Sequence, residues 1–173
     1  PARVVYAEGE DERVLRAVQV VLDEGLAQPV LIGRPEVVRM RIERAGLRLQ
    51  AGRDFELVDP ENDPRFRAYW ETYHQLMGRE GVTPEAAKAA VRRSNTLIAS
   101  LMVKRGEAHA MLCGLVGRYD AHLDHVRTVI GQREGTHVMA ALNALMLDQF
   151  TVFITDTFVN EQPTAAELSE IAQ

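Results

Sequence analysis

Hydrophobic and polar positions change period several times along the chain. Arg3 to Ala7 is a short, β-branched apolar run, followed by Glu8-Gly9-Glu10-Asp11-Glu12, an acidic cluster suited to the positive end of a helix. Val14, Val18, Val21 and Leu22 then recur at helical spacing until Gly25 closes the segment. Val30-Leu31-Ile32-Gly33 predicts a second, buried strand, and Glu36 to Ala45 a helix ended by Gly46, where a left-handed cap is favoured. Phe55-Glu56-Leu57-Val58 predicts a third strand, cut by Asp59-Pro60. Strands alternating with helices imply a mostly parallel sheet covered on both faces. Arg3–Ala7, Val30–Gly33 and Ala108–Gly114 should be neighbours in it.

The middle of the chain is helical. Phe66, Tyr69, Trp70, Tyr73, Leu76 and Met77 make one apolar stripe, the usual mark of core rather than of ligand stacking. Thr83-Pro84-Glu85 opens a helix with Thr83 as N-cap, and Thr96 to Lys104 predicts another. Thr128-Val129-Ile130 begins a further extended stretch. Val138 to Leu147 fits helix or strand by period alone. Thr151 to Asp156 predicts a strand, and Thr164 with Glu167 a capping box opening the last helix.

Composition narrows the function classes. In 173 residues, 46% are hydrophobic and 26% charged, ordinary values for a soluble globular domain long enough to bury a core. A net charge of −5 leaves no electrostatic footprint for nucleic acid, and no apolar stretch approaches the ~20 residues of a membrane span. Pro1-Ala2-Arg3-Val4-Val5-Tyr6 has neither part of a secretory signal. One cysteine, Cys113, forms no internal disulfide, which fits a reducing cytoplasm. Residue 1 is not Met, and Glu167 to Gln173 ends without a helix stop, so the expectation is a fragment of a longer polypeptide.

Open parallel sheets place ligands beyond their strand ends, and three places qualify: Glu8-Gly9, the loop after Met111-Leu112, and Asp156 to Asn160. The richest is Cys113-Gly114-Leu115-Val116-Gly117-Arg118. Its glycines let backbone amides approach an anion, and Arg118 adds a charged fork. It matches no nucleotide P-loop or dinucleotide fingerprint, and a plain turn would need no further explanation. Cys113 reads as a small buried residue, not a nucleophile. His122 and His125 with Asp124 lack the further ligands of a metal site and read as a solvated helix. Glu10, Asp11 and Glu12 read as solvating a helix start.

Several segments together resemble phosphate acetyl- and butyryltransferases. Tyr6-Ala7-Glu8-Gly9-Glu10-Asp11-Glu12-Arg13-Val14-Leu15-Arg16-Ala17 resembles their opening strand-to-helix segment, and Arg79-Glu80-Gly81-Val82-Thr83-Pro84-Glu85-Ala86-Ala87 their central helix start. Leu101 to Met111 resembles the run into the substrate-loop strand. Asp156-Thr157-Phe158-Val159-Asn160 with Pro163 to Ala172 resembles a later strand-to-helix connection. Cys113-Gly114-Leu115-Val116-Gly117-Arg118-Tyr119, in place of a Ser-Gly-Ala-x-His type loop, and Tyr69 to Met77 are similar to the branch attached to the C-terminus of NADP-dependent malic enzymes.

The resemblance implies an α/β three-layer lobe with a mostly parallel sheet at residues 1–135. At 136–173 it implies the start of a second α/β lobe, of isocitrate/isopropylmalate dehydrogenase-like type. It implies acetyl-CoA, a related acyl-CoA or an acyl phosphate in a cleft, with Arg79, Arg127, Gly114 and Arg118 as ligand-binding residues. Arg127, in His125-Val126-Arg127-Thr128-Val129-Ile130, would stand before a strand. The family's Ser-Arg-Asp catalytic group has no match, so no catalytic or metal residue is assigned. NADP and a divalent metal would belong to a malic-enzyme domain before residue 1. Three functions follow: an acetyl-CoA-sensing regulatory and oligomerisation domain, a piece of an active phosphate acetyltransferase, or a purely structural assembly module. The family also implies that Val138–Leu147 is extended, and that the chain self-associates through Val138–Ala172, most simply as a homodimer.

Overall fold

The β-branched run at the start forms β1 (Ala2–Tyr6), and Asp11 turns the chain into α1 (Glu12–Asp23) by accepting the backbone N–H of Arg13 at 2.8 Å. Next come β2 (Ala27–Ile32), α2 (Pro35–Arg44) and β3 (Glu56–Val58), with Pro35 at the start of α2, where its missing N–H costs nothing. With β4 (Ala110–Leu112) the strands run β3-β2-β1-β4, all parallel. The computed structural model describes residues 1–173, which separate into two compact units, 1–131 and 132–173.

Alternation along the strands builds two cores, one on each face. Val5, Val30, Ile32 and Val58 point to one, where they meet Leu97, Leu101 and Met102 of α5 (Asn95–Lys104) and Tyr69 of α3 (Phe66–Met77). Tyr6 and Leu31 point to the other, against Leu15 and Val18 of α1 and Val38 and Ile42 of α2. This is the three-layer α/β arrangement that the alternation predicted, with the three named strand runs adjacent. Gly9 fits the crossing because a Cβ there would lie 2.7 Å from the Ile32 carbonyl oxygen.

The helix α5 is buried along Thr96 to Met102, so its sequence is apolar nearly all round. Ser94 caps it by accepting from Leu97 N at 3.1 Å, and the buried Ser100 hydroxyl donates back to the Thr96 carbonyl at 2.9 Å. The aromatic stripe of α3 is core: Tyr69 is fully buried, and Phe66, Trp70 and Tyr73 pack beside it. The Tyr69 hydroxyl donates to Glu107 at 2.8 Å, and burial first, then that carboxylate, holds its pKa far above the ordinary phenol range. Thr83 caps α4 (Pro84–Arg93) through Ala86 N at 3.2 Å.

Two expectations are corrected here. Thr128-Val129-Ile130 is not extended. The helix α6 (Tyr119–His125) runs straight on into a π-helical turn, Val126–Ile130. The β-branched residues suit a strand, but Val129 is buried in the α3–α5 core and the Thr128 hydroxyl bonds back to the Asp124 carbonyl at 2.7 Å. Arg127 therefore sits inside this turn rather than before a strand. The acidic cluster is not simply solvated either. Glu10 accepts the N–H of Arg34 at 2.9 Å and also binds its guanidinium, fixing the start of α2.

Residues 132–173 carry an antiparallel hairpin, β5 (Leu142–Met146) with β6 (Thr151–Thr155), and α7 (Ala165–Ile171). Of Val138–Leu147, only Leu142–Met146 is strand; no helix forms there despite the Ala, Leu and Met content. The Thr164–Glu167 capping box opens α7. No helix of the structure is long and apolar enough to cross a membrane.

Candidate functional site

β1 and β4 lie side by side and end together, so their two following loops meet. Ala7 N donates to the Leu112 carbonyl at 3.0 Å, and Glu8 accepts the N–H of Gly114 at 2.9 Å. Tyr6, Glu8, Val14, Leu112, Cys113 and Leu115 line a cleft of about 380 Å³ beside them. Within Cys113–Arg118, Gly114 has φ +101° and Gly117 φ +110°, backbone that side-chain-bearing residues rarely adopt. The loop closes on α6, where His122 Nε2 is 2.9 Å from the Val116 carbonyl oxygen. Its other nitrogen, Nδ1, is 2.9 Å from the Thr96 hydroxyl on α5.

The four ligand residues implied by resemblance are distributed as follows. Gly114 and Arg118 share the loop. The Arg118 guanidinium is engaged by Asp120, with Nε to Oδ1 at 3.0 Å. Arg127 is exposed in the π-helical turn packed on α3 and α5, and Arg79 is exposed in the 3₁₀ turn Gly78–Glu80 that ends α3. Neither the Arg79 nor the Arg127 side chain makes a hydrogen bond or ion pair within the chain, unlike those of Arg3, Arg34 and Arg65. No hydrogen bond joins the four residues to one another.

The other candidates resolve into structural roles. Burial first and the Glu8 charge second push the Cys113 thiol above its ordinary pKa, which keeps it protonated and unreactive at neutral pH. His122 and His125 lie on a helix with no fully buried residue, but their rings turn inward: His122 bonds Val116 and Thr96, and His125 Nε2 is 3.0 Å from the Ser94 hydroxyl. No group of three or more His, Cys, Asp and Glu side chains is gathered to hold a metal ion. Asp156 ties its own segment together, accepting from Ala141 N and Asn160 N at 2.9 and 2.8 Å. Slight burial raises its pKa, and these donors together lower it further than that.

Sequence reasoning missed the partners of the loop. Glu8 enters the sequence reading as part of the acidic cluster and as one of three strand ends that could take a ligand, but not as a partner of Gly114, and His122 only as half of a rejected metal pair. Parallel adjacency of β1 and β4 is the signal that puts Glu8 beside Gly114. Nothing in the local pattern joins His122 to Val116 six residues earlier.

The family model described as phosphate acetyl/butaryl transferase matches residues 1–173. An NADP-dependent malic enzyme of Escherichia coli is 52% identical over 99% of this chain and 22% of its own length. A phosphate acetyltransferase of Nitratidesulfovibrio vulgaris is 28% identical over 98% of this chain and 24% of its own. The chain thus spans about a quarter of the curated relatives it matches. A crystal structure of a phosphotransacetylase from Streptococcus pyogenes superposes with a TM-score of 0.87 at 27% identity, covering 99% of this chain and 51% of that one. With a family match over all 173 residues and relatives covering nearly the whole chain, the chain belongs to the phosphate acetyl/butaryl transferase family, with its greater likeness to the members carried by malic enzymes.

Proposed function

We propose that the chain is part of an acetyl-CoA-sensing regulatory and assembly module of an NADP-dependent malic enzyme. Oxidative decarboxylation of malate, with its NADP and divalent metal, belongs on this reading to a domain outside residues 1–173, in a cytoplasmic protein. The observation that carries it is 52% identity to a malic enzyme against 28% to a phosphate acetyltransferase, each over nearly the whole chain. Two further features favour a ligand of the acyl-CoA or acyl phosphate class. Arg79 and Arg127 have exposed guanidiniums without acidic partners, and such permanently charged forks bind two phosphate oxygens at once. The Gly114–Gly117 loop adds backbone donors at the carboxyl end of a parallel sheet. The second reading, part of a working phosphate acetyltransferase, draws on the close match in fold to a phosphotransacetylase.

The test uses the full-length protein. Malate-dependent NADP reduction should change with added acetyl-CoA, and Arg79→Ala or Arg127→Ala should shift the half-effective concentration upward about tenfold, roughly one charge-assisted contact. Acetyl-CoA without effect on the wild type sinks the regulatory reading. An unchanged response in both variants removes these arginines from the site. The 173-residue chain alone should give no acetyl transfer between CoA and phosphate in a thioester assay. Turnover that scales with protein and disappears in Arg127→Ala would establish the transferase reading instead.

A further inference from the structure

The Val116–Gly117 peptide is held in one orientation from outside the loop. A carbonyl oxygen only accepts, so at 2.9 Å from Val116 O the Nε2 of His122 carries the proton. Nδ1 is then the acceptor for the Thr96 hydroxyl at 2.9 Å. Thr96 is itself buried in α5, so the imidazole bridges the core helix to the loop. Gly117 leaves room for the ring, because a Cβ there would lie 2.9 Å from Nε2. In a trans peptide the C=O of one residue and the N–H of the next point in opposite directions. With Val116 O tied to His122, Gly117 N–H must face away from α6, and it has no acceptor within the chain. The neighbouring glycine differs, since Gly114 N–H is already taken by the Glu8 carboxylate, whose charge also opposes an anion there.

We propose that His122 is a positioning residue. It fixes the Val116–Gly117 peptide so that Gly117 N–H, rather than Gly114 N–H, is the loop's donor to a phosphate or thioester oxygen of an acyl-CoA or acyl phosphate. The ligand half rests on the acyl-CoA reading above; the peptide half stands on the hydrogen bonds alone. Replacing His122 by Ala frees the carbonyl and lets the peptide rotate, with both glycines offering little resistance.

Amide hydrogen exchange across residues 114–117 and calorimetric titration with acetyl-CoA, both on the full-length protein, test the two halves. Of these amides only Gly114 N–H has an acceptor, Glu8, so His122→Ala, by releasing the loop's anchor, should speed exchange of the Gly114 amide about tenfold or more and weaken acetyl-CoA binding about tenfold, the loss of one oriented donor. His122→Gln, whose side-chain amide reaches the same carbonyl, should stay within about threefold of wild type in both. Unchanged exchange in His122→Ala overturns the positioning role, as does a Gln variant no better than Ala. If the wild type takes up neither acetyl-CoA nor acetyl phosphate, the donor role and the ligand reading fall together. The exchange arm then still decides whether His122 holds the peptide.

Discussion

His125 shows how one buried atom sets a pH dependence. Its Nε2 meets the Ser94 hydroxyl at 3.0 Å, while Nδ1 is buried with no partner. Burial lowers its pKa below the ordinary histidine value. Asp124 beside it pulls the other way, and His122 adds a little to the lowering. Tyr73 on α3 also feels the Asp124 charge but stays neutral, its own pKa raised first by burial. The sign follows: below about pH 6.5 the unfolded chain binds a proton at this residue that the folded chain refuses. This residue's contribution to stability is therefore complete above that pH and declines as pH falls toward the lowered folded value. Urea unfolding between pH 7.5 and 5.5 should show stability decreasing, and His125→Gln should flatten that decrease. A slope identical in the variant would show that His125 is not its source.

At the scale of elements, what the sequence made legible is what local pattern controls. β1, β2, α1 and α2 have regular apolar spacing, and they form where the spacing says. The Thr83 and Thr164 caps were equally readable, because capping is a local hydrogen bond between near neighbours. Thr128–Ile130 are helical rather than extended because burial of Val129 among α3 and α5 outweighs the strand preference of a Thr-Val-Ile run. The roles of Glu8 and His122 were hidden for the same reason: their partners lie on other elements, 106 residues away for Glu8 and 26 for the His122–Thr96 pair. α5 carries more buried residues than any other helix, and the contrast in burial between it and α7 predicts unequal mutant costs. Leu101→Ala, at a fully buried site, should destabilise by about 2–5 kcal/mol. Leu168→Ala on α7, where the side chain is half-exposed, should cost under about 0.5 kcal/mol. Urea midpoints measure both, and equal losses would refute the ranking.

At the scale of the whole molecule, the 132–173 unit poses a problem of apolar area. In the β5–β6 register Ala144 faces Phe153 on one side of the hairpin and Leu145 faces Val152 on the other. Neither side is covered: Leu145 is 47% exposed, Met146 85% and Phe153 64%. An isolated two-stranded hairpin is marginal in water. Leaving several hundred Å² of apolar surface wet is unfavourable by several kcal/mol, at about 25 cal/mol per Å². A second copy relieves this most simply through a twofold contact, since the same patch then covers itself on both chains. The outer edges of both strands also leave backbone donors and acceptors unpaired, and an added strand would satisfy them. We therefore expect the 173-residue chain to self-associate through Leu142–Ile154, as the assembly part of the proposed function requires. Light scattering at micromolar concentration should give at least a dimer mass. Leu145→Glu, placing a carboxylate on the hairpin face, should shift the population toward monomer. A monomer mass for the parent chain, unchanged by Leu145→Glu, would show that the hairpin stays wet in isolation and that assembly runs through some other surface.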